Sequence, residues 1–182
     1  MELLWKENDM LMEYGKIKPI VKKNVFIAGS ADVIGEVFIG EDSSVWFGCV
    51  VRGDVNYIQI GKRVNIQDLS MIHVTHASEE NIDGNPTIIE DDVTIGHKVM
   101  LHGCNIKRGS LIGMSATILD GAVIGKESIV GANSLVTKGK VFPPRSLIVG
   151  SPAKLVRTLN DDEVNELYAS SKRYVEYKNS YL

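Results

Sequence analysis

The sequence is poor in cysteine, in aromatic residues and in long apolar runs, and each scarcity excludes a class of protein. Its two cysteines, Cys49 and Cys104, do not make a disulfide framework, so we expect two buried thiols and a reducing, cytoplasmic location. No apolar run approaches the roughly 20 residues that span a bilayer. The first seven residues lack the basic and apolar regions of a signal peptide, so none is expected.

Positive charge is not in excess either, because the net charge is −3 at pH 7. Proteins that bind nucleic acid or an anionic membrane usually carry an excess of basic residues. We therefore expect neither nucleic acid nor a membrane among the partners of this chain.

What the sequence does have is an aliphatic residue at every sixth position. This period fits neither an amphipathic helix nor an alternating strand, but it is typical of a parallel β-helix in which three six-residue faces make one coil. The pattern predicts an all-β fold, a left-handed parallel β-helix of about five hexapeptide coils with a C-terminal α-helix. The runs are Val33, Ile39, Val45, Val51; Ile60, Ile66, Ile72; Ile89, Ile95, Leu101; and Ile106, Ile112, Ile118, Ile124, Val130, Val136.

Three steps between these runs break the period. The step from Val51 to Ile60 has nine residues, and the step from Leu101 to Ile106 has five. The step from Ile72 to Ile89 has 17 residues and includes a polar stretch, residues 77–86, that contains glycine and proline. This stretch is predicted to be a loop that leaves the coil, a place where repeat proteins often carry function.

The C-terminal part of the sequence changes character. The repeat is predicted to end near Val136, and a connector that contains Pro143-Pro144 should follow it. Asn160 and Glu163 have the spacing of a capping box, and apolar residues then recur at helical steps. We predict two domains: a β-helix with its lead-in at residues 1–150, and a helix packed on it at residues 151–182.

Three of the four histidines form a candidate metal site. His73 and His102 each follow an inward aliphatic, and their separation of 29 residues equals one 18-residue coil plus an 11-residue loop, so they should stack. His97 lies near a different edge of the prism, which predicts a homotrimer with each site shared between subunits. Three neutral imidazoles leave a fourth position for water, as in catalytic zinc sites; iron and cobalt also suit them.

The chain resembles the gamma-class carbonic anhydrases from about Gly15 to Arg157. The arginine-glycine-aspartate motif, the glutamine-aspartate pair and the three histidines together make this resemblance specific. The matching segments are Gly35-Glu36-Val37-Phe38-Ile39-Gly40, Ser44-Val45-Trp46, Val51-Arg52-Gly53-Asp54, Ile60-Gly61, Asn65-Ile66-Gln67-Asp68, His73, Ile95-Gly96-His97, Leu101-His102-Gly103-Cys104 and Leu111-Ile112-Gly113-Met114.

The resemblance implies a role for each of these polar residues. His73, His97 and His102 match metal ligands, and hydroxide bound to the metal would attack carbon dioxide to give bicarbonate. Arg52 and Asp54 match an ion pair at the subunit interface, which could equally serve only to build the trimer. Gln67 matches a residue near the metal-bound water, and Asp68 a partner of the arginine network.

The sequence departs from the family at two glutamates, which are replaced by Val55 and His76. In the family, the second of these glutamates lies on a loop that transfers protons. Either His76 takes over this transfer in the present chain, or the chain lacks a proton-transfer group there. Three other functions remain open: a hexapeptide acyltransferase, because Gly150-Ser151-Pro152 resembles a segment found near coenzyme A, a metal-assisted thioesterase, and a non-catalytic metal-binding trimer.

Overall fold

Short strands separated by turns make up most of the chain, since each inward aliphatic is followed by residues that bend the backbone. The computed structural model describes residues 10–182; the start of the predicted lead-in and the segment tested for a signal peptide lie outside the described residues. No helix within this described range is long and apolar enough to cross a membrane. The elements are β1 (Leu11–Met12), β2 (Ile20–Val21), β3 (Phe26–Ile27), β4 (Asp32–Ile39), β5 (Ser44–Val45), β6 (Val50–Ile60), β7 (Asn65–Ile66), β8 (Met71–His73), β9 (Thr87–Ile89), β10 (Thr94–Ile95), β11 (Met100–His102), β12 (Asn105–Ile106), β13 (Leu111–Ile112), β14 (Thr117–Ile118), β15 (Val123–Ile124), β16 (Ile129–Val130), β17 (Leu135–Val136), β18 (Val141–Phe142), β19 (Ser146–Gly150), β20 (Ala153–Thr158) and α1 (Asp161–Asn179).

The strands stack into three parallel ladders, one for each face of the prism. The first ladder contains β8, β11, β14 and β17, and the second contains β9, β12, β15 and β18. The long strands β4 and β6 belong to both, which joins these two faces into one 12-stranded sheet. The third ladder runs from β3 to β19 and ends with the antiparallel strand β20. The predicted parallel β-helix with a C-terminal helix is therefore confirmed.

The core is the column of aliphatic residues that the six-residue period predicted to point inward. Ile66, Ile72, Ile95 and Leu101 are each 0% exposed. Burial of one such side chain contributes roughly 1.5–3 kcal/mol, and successive coils share the buried column. Both cysteines are free and buried in the same core, as predicted.

The β-helix is longer than predicted at both ends. Ile20–Val21 already pairs in parallel with Phe38–Ile39, and seven parallel strands stack in the third ladder instead of about five. The predicted end near Val136 is wrong, because Phe142 pairs with Ile124 and Ile148 with Val130. The period continues there with Phe142 in the inward position and with prolines in the following turn.

The nine-residue step produces a bulge in β6. Gly35 pairs with Gly53 but Val37 pairs with Ile58, so residues 54–57 project from the ladder. Gly35 has a φ of +75°, and a Cβ there would collide with the carbonyl oxygen of Gly53. Since only glycine permits this approach, the bulge depends on it.

The predicted loop after β8 is confirmed. Residues 77–80 are exposed, and Thr75 and Asn85 form a bridge at its base. Asn56 in the bulge donates from Nδ2 to the carbonyl oxygens of Thr75, at 3.0 Å, and Asp83, at 2.8 Å. The two insertions into the repeat are thereby tied to each other.

Helix α1 lies against the third ladder. The predicted capping box is confirmed, since Glu163 N donates to Asn160 Oδ1 and Asn160 N donates to Glu163 Oε2, both at 2.9 Å. Val164 and Leu167 lie on the buried face of the helix, and Ser171 Oγ donates to the carbonyl oxygen of Arg63 at 2.7 Å. The antiparallel strand β20 precedes the helix within residues 151–182.

Candidate metal centre

His73 and His102 meet at the corner between the first and second ladders. They are register partners in the parallel pairing of β8 with β11, so the stacking predicted from the 29-residue separation is confirmed. Their ring centroids are 5.1 Å apart, and Nδ1 of His73 lies 3.1 Å from Nε2 of His102.

Two carboxylates determine which nitrogen of each ring carries the proton. Asp54 Oδ1 lies 2.9 Å from His73 Nε2, and Asp120 Oδ1 lies 2.8 Å from His102 Nδ1. A carboxylate can only accept, so each outer nitrogen carries the proton. When both rings are neutral, as in metal ligands, the inner nitrogens His73 Nδ1 and His102 Nε2 then carry lone pairs and face each other.

This donor pair fits a tetrahedral metal ion. Metal–nitrogen bonds of 2.0–2.1 Å place two ligand nitrogens of a tetrahedron about 3.3 Å apart. The observed 3.1 Å between the inner nitrogens of His73 and His102 is close to that spacing. A cation between the rings would also relieve the repulsion between two facing lone pairs. Neutral imidazoles suit zinc, iron and cobalt alike.

The bulge in β6 brings Asp54 to His73. Arg52 lies two residues earlier, and its Nη1 donates to Asp54 Oδ2, so the predicted ion pair is present within one chain. Partial burial favours the neutral acid, but hydrogen bonds from His73 and Arg52 outweigh it and lower the pKa of Asp54. Asp54 therefore remains ionised while it orients the ring.

Asp120 and Thr75 are site residues that our sequence reasoning missed. Thr75 Oγ1 donates to Asp120 Oδ1 at 2.5 Å, and this bond together with the one from His102 outweighs burial and lowers the pKa of Asp120. Asp120 lies 18 residues after His102, the length of one coil, so the period itself could have revealed it. Gly103 makes room, because a Cβ there would collide with Asp120 Oδ1.

His97 lies at the other edge of the first ladder, between β10 and β11. Its Nδ1 is 2.8 Å from Asp68 Oδ2, within ion-pair distance, and its Nε2 has no such partner among the described residues. Within residues 10–182 of one chain, no three histidine, cysteine or acidic side chains gather closely enough to hold a metal. A single protomer therefore brings together His73 and His102, and it keeps His97 apart from them.

Gln67 is 5% exposed at the end of β7, one coil before His97. Its Nε2 donates to Asn65 Oδ1 at 3.0 Å, and Asn65 Nδ2 donates to Thr94 Oγ1 at 2.9 Å. This chain of hydrogen bonds fixes the orientation of the carboxamide.

The fourth histidine, His76, is exposed at the base of the extruded loop. It directly follows Thr75, which holds Asp120, so the chain passes from the site into solvent within one residue. A side chain at this position can exchange protons with bulk water.

The chain has relatives among named proteins. It is 47% identical over 175 residues to Protein YrdA of Escherichia coli (strain K12), covering 96% of this chain and 95% of the relative. It is 44% identical to a carbonic anhydrase of Geobacillus kaustophilus (strain HTA426), covering 92% and 88%. Gamma carbonic anhydrase 2, mitochondrial, of Arabidopsis thaliana is 45% identical over 91% of this chain, which spans 59% of that protein's length.

Two further comparisons concern the repeat and the fold. Residues 103–138 match the family model described as bacterial transferase hexapeptide (six repeats). The solved structure of a hexapeptide transferase family protein from Anaplasma phagocytophilum aligns with a TM-score of 0.88 at 37% identity, covering 94% of this chain and 98% of that one. Sequence identity and coverage together show that this chain belongs to the gamma-class carbonic anhydrase family of hexapeptide-repeat proteins.

Proposed function

We propose that this protein is a cytoplasmic, metal-dependent hydratase that converts carbon dioxide and water into bicarbonate and a proton. What supports the proposal most directly is the pair of imidazole nitrogens, His73 Nδ1 and His102 Nε2, that face each other at 3.1 Å while a carboxylate holds the outer nitrogen of each ring. The names of the relatives support carbon dioxide as the substrate. Zinc is the proposed metal, with iron or cobalt as alternatives.

The third ligand would come from a neighbouring subunit. His97 lies beside Asp68, with its Nδ1 2.8 Å from Asp68 Oδ2, at a different corner from His73 and His102. A three-fold assembly can place one corner of each subunit against the other corner of its neighbour. We therefore infer a homotrimer with one shared site at each interface.

A zinc ion held by three imidazoles would make a water molecule acidic enough to attack near neutral pH. The role of the protein is to keep the imidazole rings of the metal ligands in the correct tautomer. Asp54 and Asp120 do this for His73 and His102, and Arg52 and Thr75 hold the two carboxylates in turn.

Gln67 is the residue proposed to orient the attacking water. Its amide nitrogen already donates to Asn65, and its Oε1 can accept a hydrogen bond from a donor such as water. Accepting one O–H of the water would point an oxygen lone pair toward the carbon of carbon dioxide.

Each turnover also releases one proton, which must leave before the next cycle. His76 is the proposed carrier, because an imidazole can both accept and donate a proton and its position is exposed. General acid–base assistance is typically worth roughly a hundredfold to ten-thousandfold. His76→Ala should therefore lower turnover, and imidazole buffer should restore part of it.

The decisive experiment measures metal content and carbon dioxide hydration on the same preparations. His73→Ala and His97→Ala chains should each bind little metal, and co-assembly of the two should restore some complete sites. His76→Ala is the matched control, since it should retain the metal. Full metal content in the separate single variants would refute the shared site. A metal-loaded parent protein without hydration activity would refute the reaction, and acyl transfer or thioester hydrolysis would then be assayed.

A further inference from the structure

A cavity that is open to solvent and lined by aromatic rings lies between the end of α1 and the third ladder. Its volume is about 430 Å³, which is within the usual range for small-molecule sites. It touches the candidate metal centre only through Asp68. The rings and the carboxylate that line it belong to Trp46, Phe47, Asp68, Tyr174, Tyr177 and Tyr181.

Two of the tyrosine rings pack edge to face against Trp46. Trp46 is fixed, since it is 7% exposed and its Nε1 donates to Ser44 Oγ at 2.9 Å. Tyr174 and Tyr181 lie 5.8 and 5.5 Å from it between centroids, nearly perpendicular at 81° and 88°. Tyr177 extends the wall, 5.5 Å from Tyr174. The π faces of such rings attract cations.

The charged side chain on this cavity wall is a carboxylate. Asp68 uses Oδ2 to hold His97 Nδ1, at 2.8 Å, and remains 36% exposed. Burial raises the pKa of Tyr174, and the negative charge of Asp68 raises it further, against a smaller opposing effect of the positive charge of Arg173, so the negative potential reaches the rings. An anionic ligand would be repelled here, whereas a cation would gain from both the carboxylate and the rings.

We propose that this aromatic cavity binds a small organic cation of the quaternary ammonium class. Such a cation has no N–H to donate, so it needs no hydrogen-bond acceptors and is recognised by π faces and by a carboxylate at longer range. The fixed Trp46 forms the floor, and the half-exposed Tyr177 and Tyr181 form the rim through which a ligand would pass. The site does not depend on the proposed hydration activity.

The test compares choline with its uncharged isostere, 3,3-dimethylbutan-1-ol, by calorimetric titration of the full-length protein. We expect saturable binding of choline at one site per chain and much weaker binding of the alcohol. Equal or tighter binding of the alcohol would show a merely apolar cavity and overturn the proposal. Absence of saturable binding of choline at every concentration that leaves the protein folded would overturn it as well.

Variants then locate the binding site. Tyr177→Ala should weaken choline binding about three- to thirtyfold, because one π face is lost. Tyr177→Phe keeps the ring and should bind choline about as tightly as the parent protein. Tyr14→Ala is the matched control, since Tyr14 is 52% exposed, like Tyr177, and lies outside the cavity. Unchanged binding by Tyr177→Ala, with its fold verified by circular dichroism, would contradict the assignment.

Discussion

The coils formed by residues 106–148 repeat without interruption, whereas those formed by residues 32–102 contain a bulge and an extruded loop. Both regions bury the same kind of aliphatic column. The polar residues of the candidate centre nevertheless lie almost entirely in the interrupted coils. The regular coils contribute Asp120, which reaches one coil back to His102.

This difference teaches that the repeat builds the scaffold and that its exceptions build the site. The bulge moves Asp54 out of the ladder and onto His73, and the loop base supplies Thr75 for Asp120. Four predictions test this separation of scaffold from site, from the largest expected effect to the smallest.

The largest loss of stability should come from truncation of a core side chain, and the loss should be the same in the regular and the interrupted coils. Ile118 in a regular coil and Ile72 in an interrupted coil are both 0% exposed. Truncation of either to alanine should lower the free energy of unfolding by about 2–5 kcal/mol, measured by denaturant titration. A loss below about 1 kcal/mol at Ile72 alone would mean that the interrupted coils are loosely packed.

Asp120→Asn should affect the site and leave the scaffold intact. Loss of the charge that holds His102 Nδ1 should weaken metal binding about 10- to 100-fold, as measured by competition with a chelator. The unfolding midpoint without metal should change little, because Asp120 lies outside the apolar core. Asp162→Asn, at an exposed position of α1, is the control. Unchanged metal affinity would show that Asp120 does not contribute to metal binding.

A smaller, pH-dependent change in stability should come from the capping box of α1, the helix that lies along both regions. Hydrogen bonds from Arg157 and from the Asn160 amide lower the pKa of Glu163 to about 2. The stabilisation by its charge should be fully present above the unfolded pKa of about 4.3 and lost as the pH falls through about 2. Thermal unfolding of Glu163→Gln should therefore differ from the parent protein at neutral pH and converge with it near that lower limit. Convergence already near the unfolded pKa would show that the bonds are absent in solution.

The smallest effect is an expected lack of thiol reactivity in either region. Burial raises the pKa of Cys49, in an interrupted coil, to about 11, and that of Cys104, beside the regular coils, to about 12. Thiolate is therefore scarce at about pH 8, and iodoacetamide should label neither residue until the protein is denatured. Preferential labelling of Cys49, read by mass spectrometry, would show that the interrupted coils open more often.

Much of the fold could be predicted because the period is local and regular. The six-residue spacing identified the inward residues, and its 17-residue break predicted the loop. The other two breaks coincide with the bulge in β6 and with the corner after His102, which the sequence did not by itself interpret. The C-terminal end was missed because Phe142 replaces an aliphatic residue and prolines occupy the turn after it. An aromatic core residue breaks the composition of the pattern without breaking its geometry. The N-terminal end could have been found by the same rule, since Val21 and Ile27 keep the six-residue period.

The sequence by itself determined that His73 and His102 stack, because a parallel coil of fixed length converts residue spacing directly into position. It also determined that His97 lies on another corner. Only the tertiary structure decided which nitrogens of His73 and His102 face each other, since that depends on Asp54 crossing from a bulge and Asp120 reaching from the next coil. The aromatic cavity was likewise decided by the docking of α1, because contacts between a helix and a distant coil follow no period in the sequence.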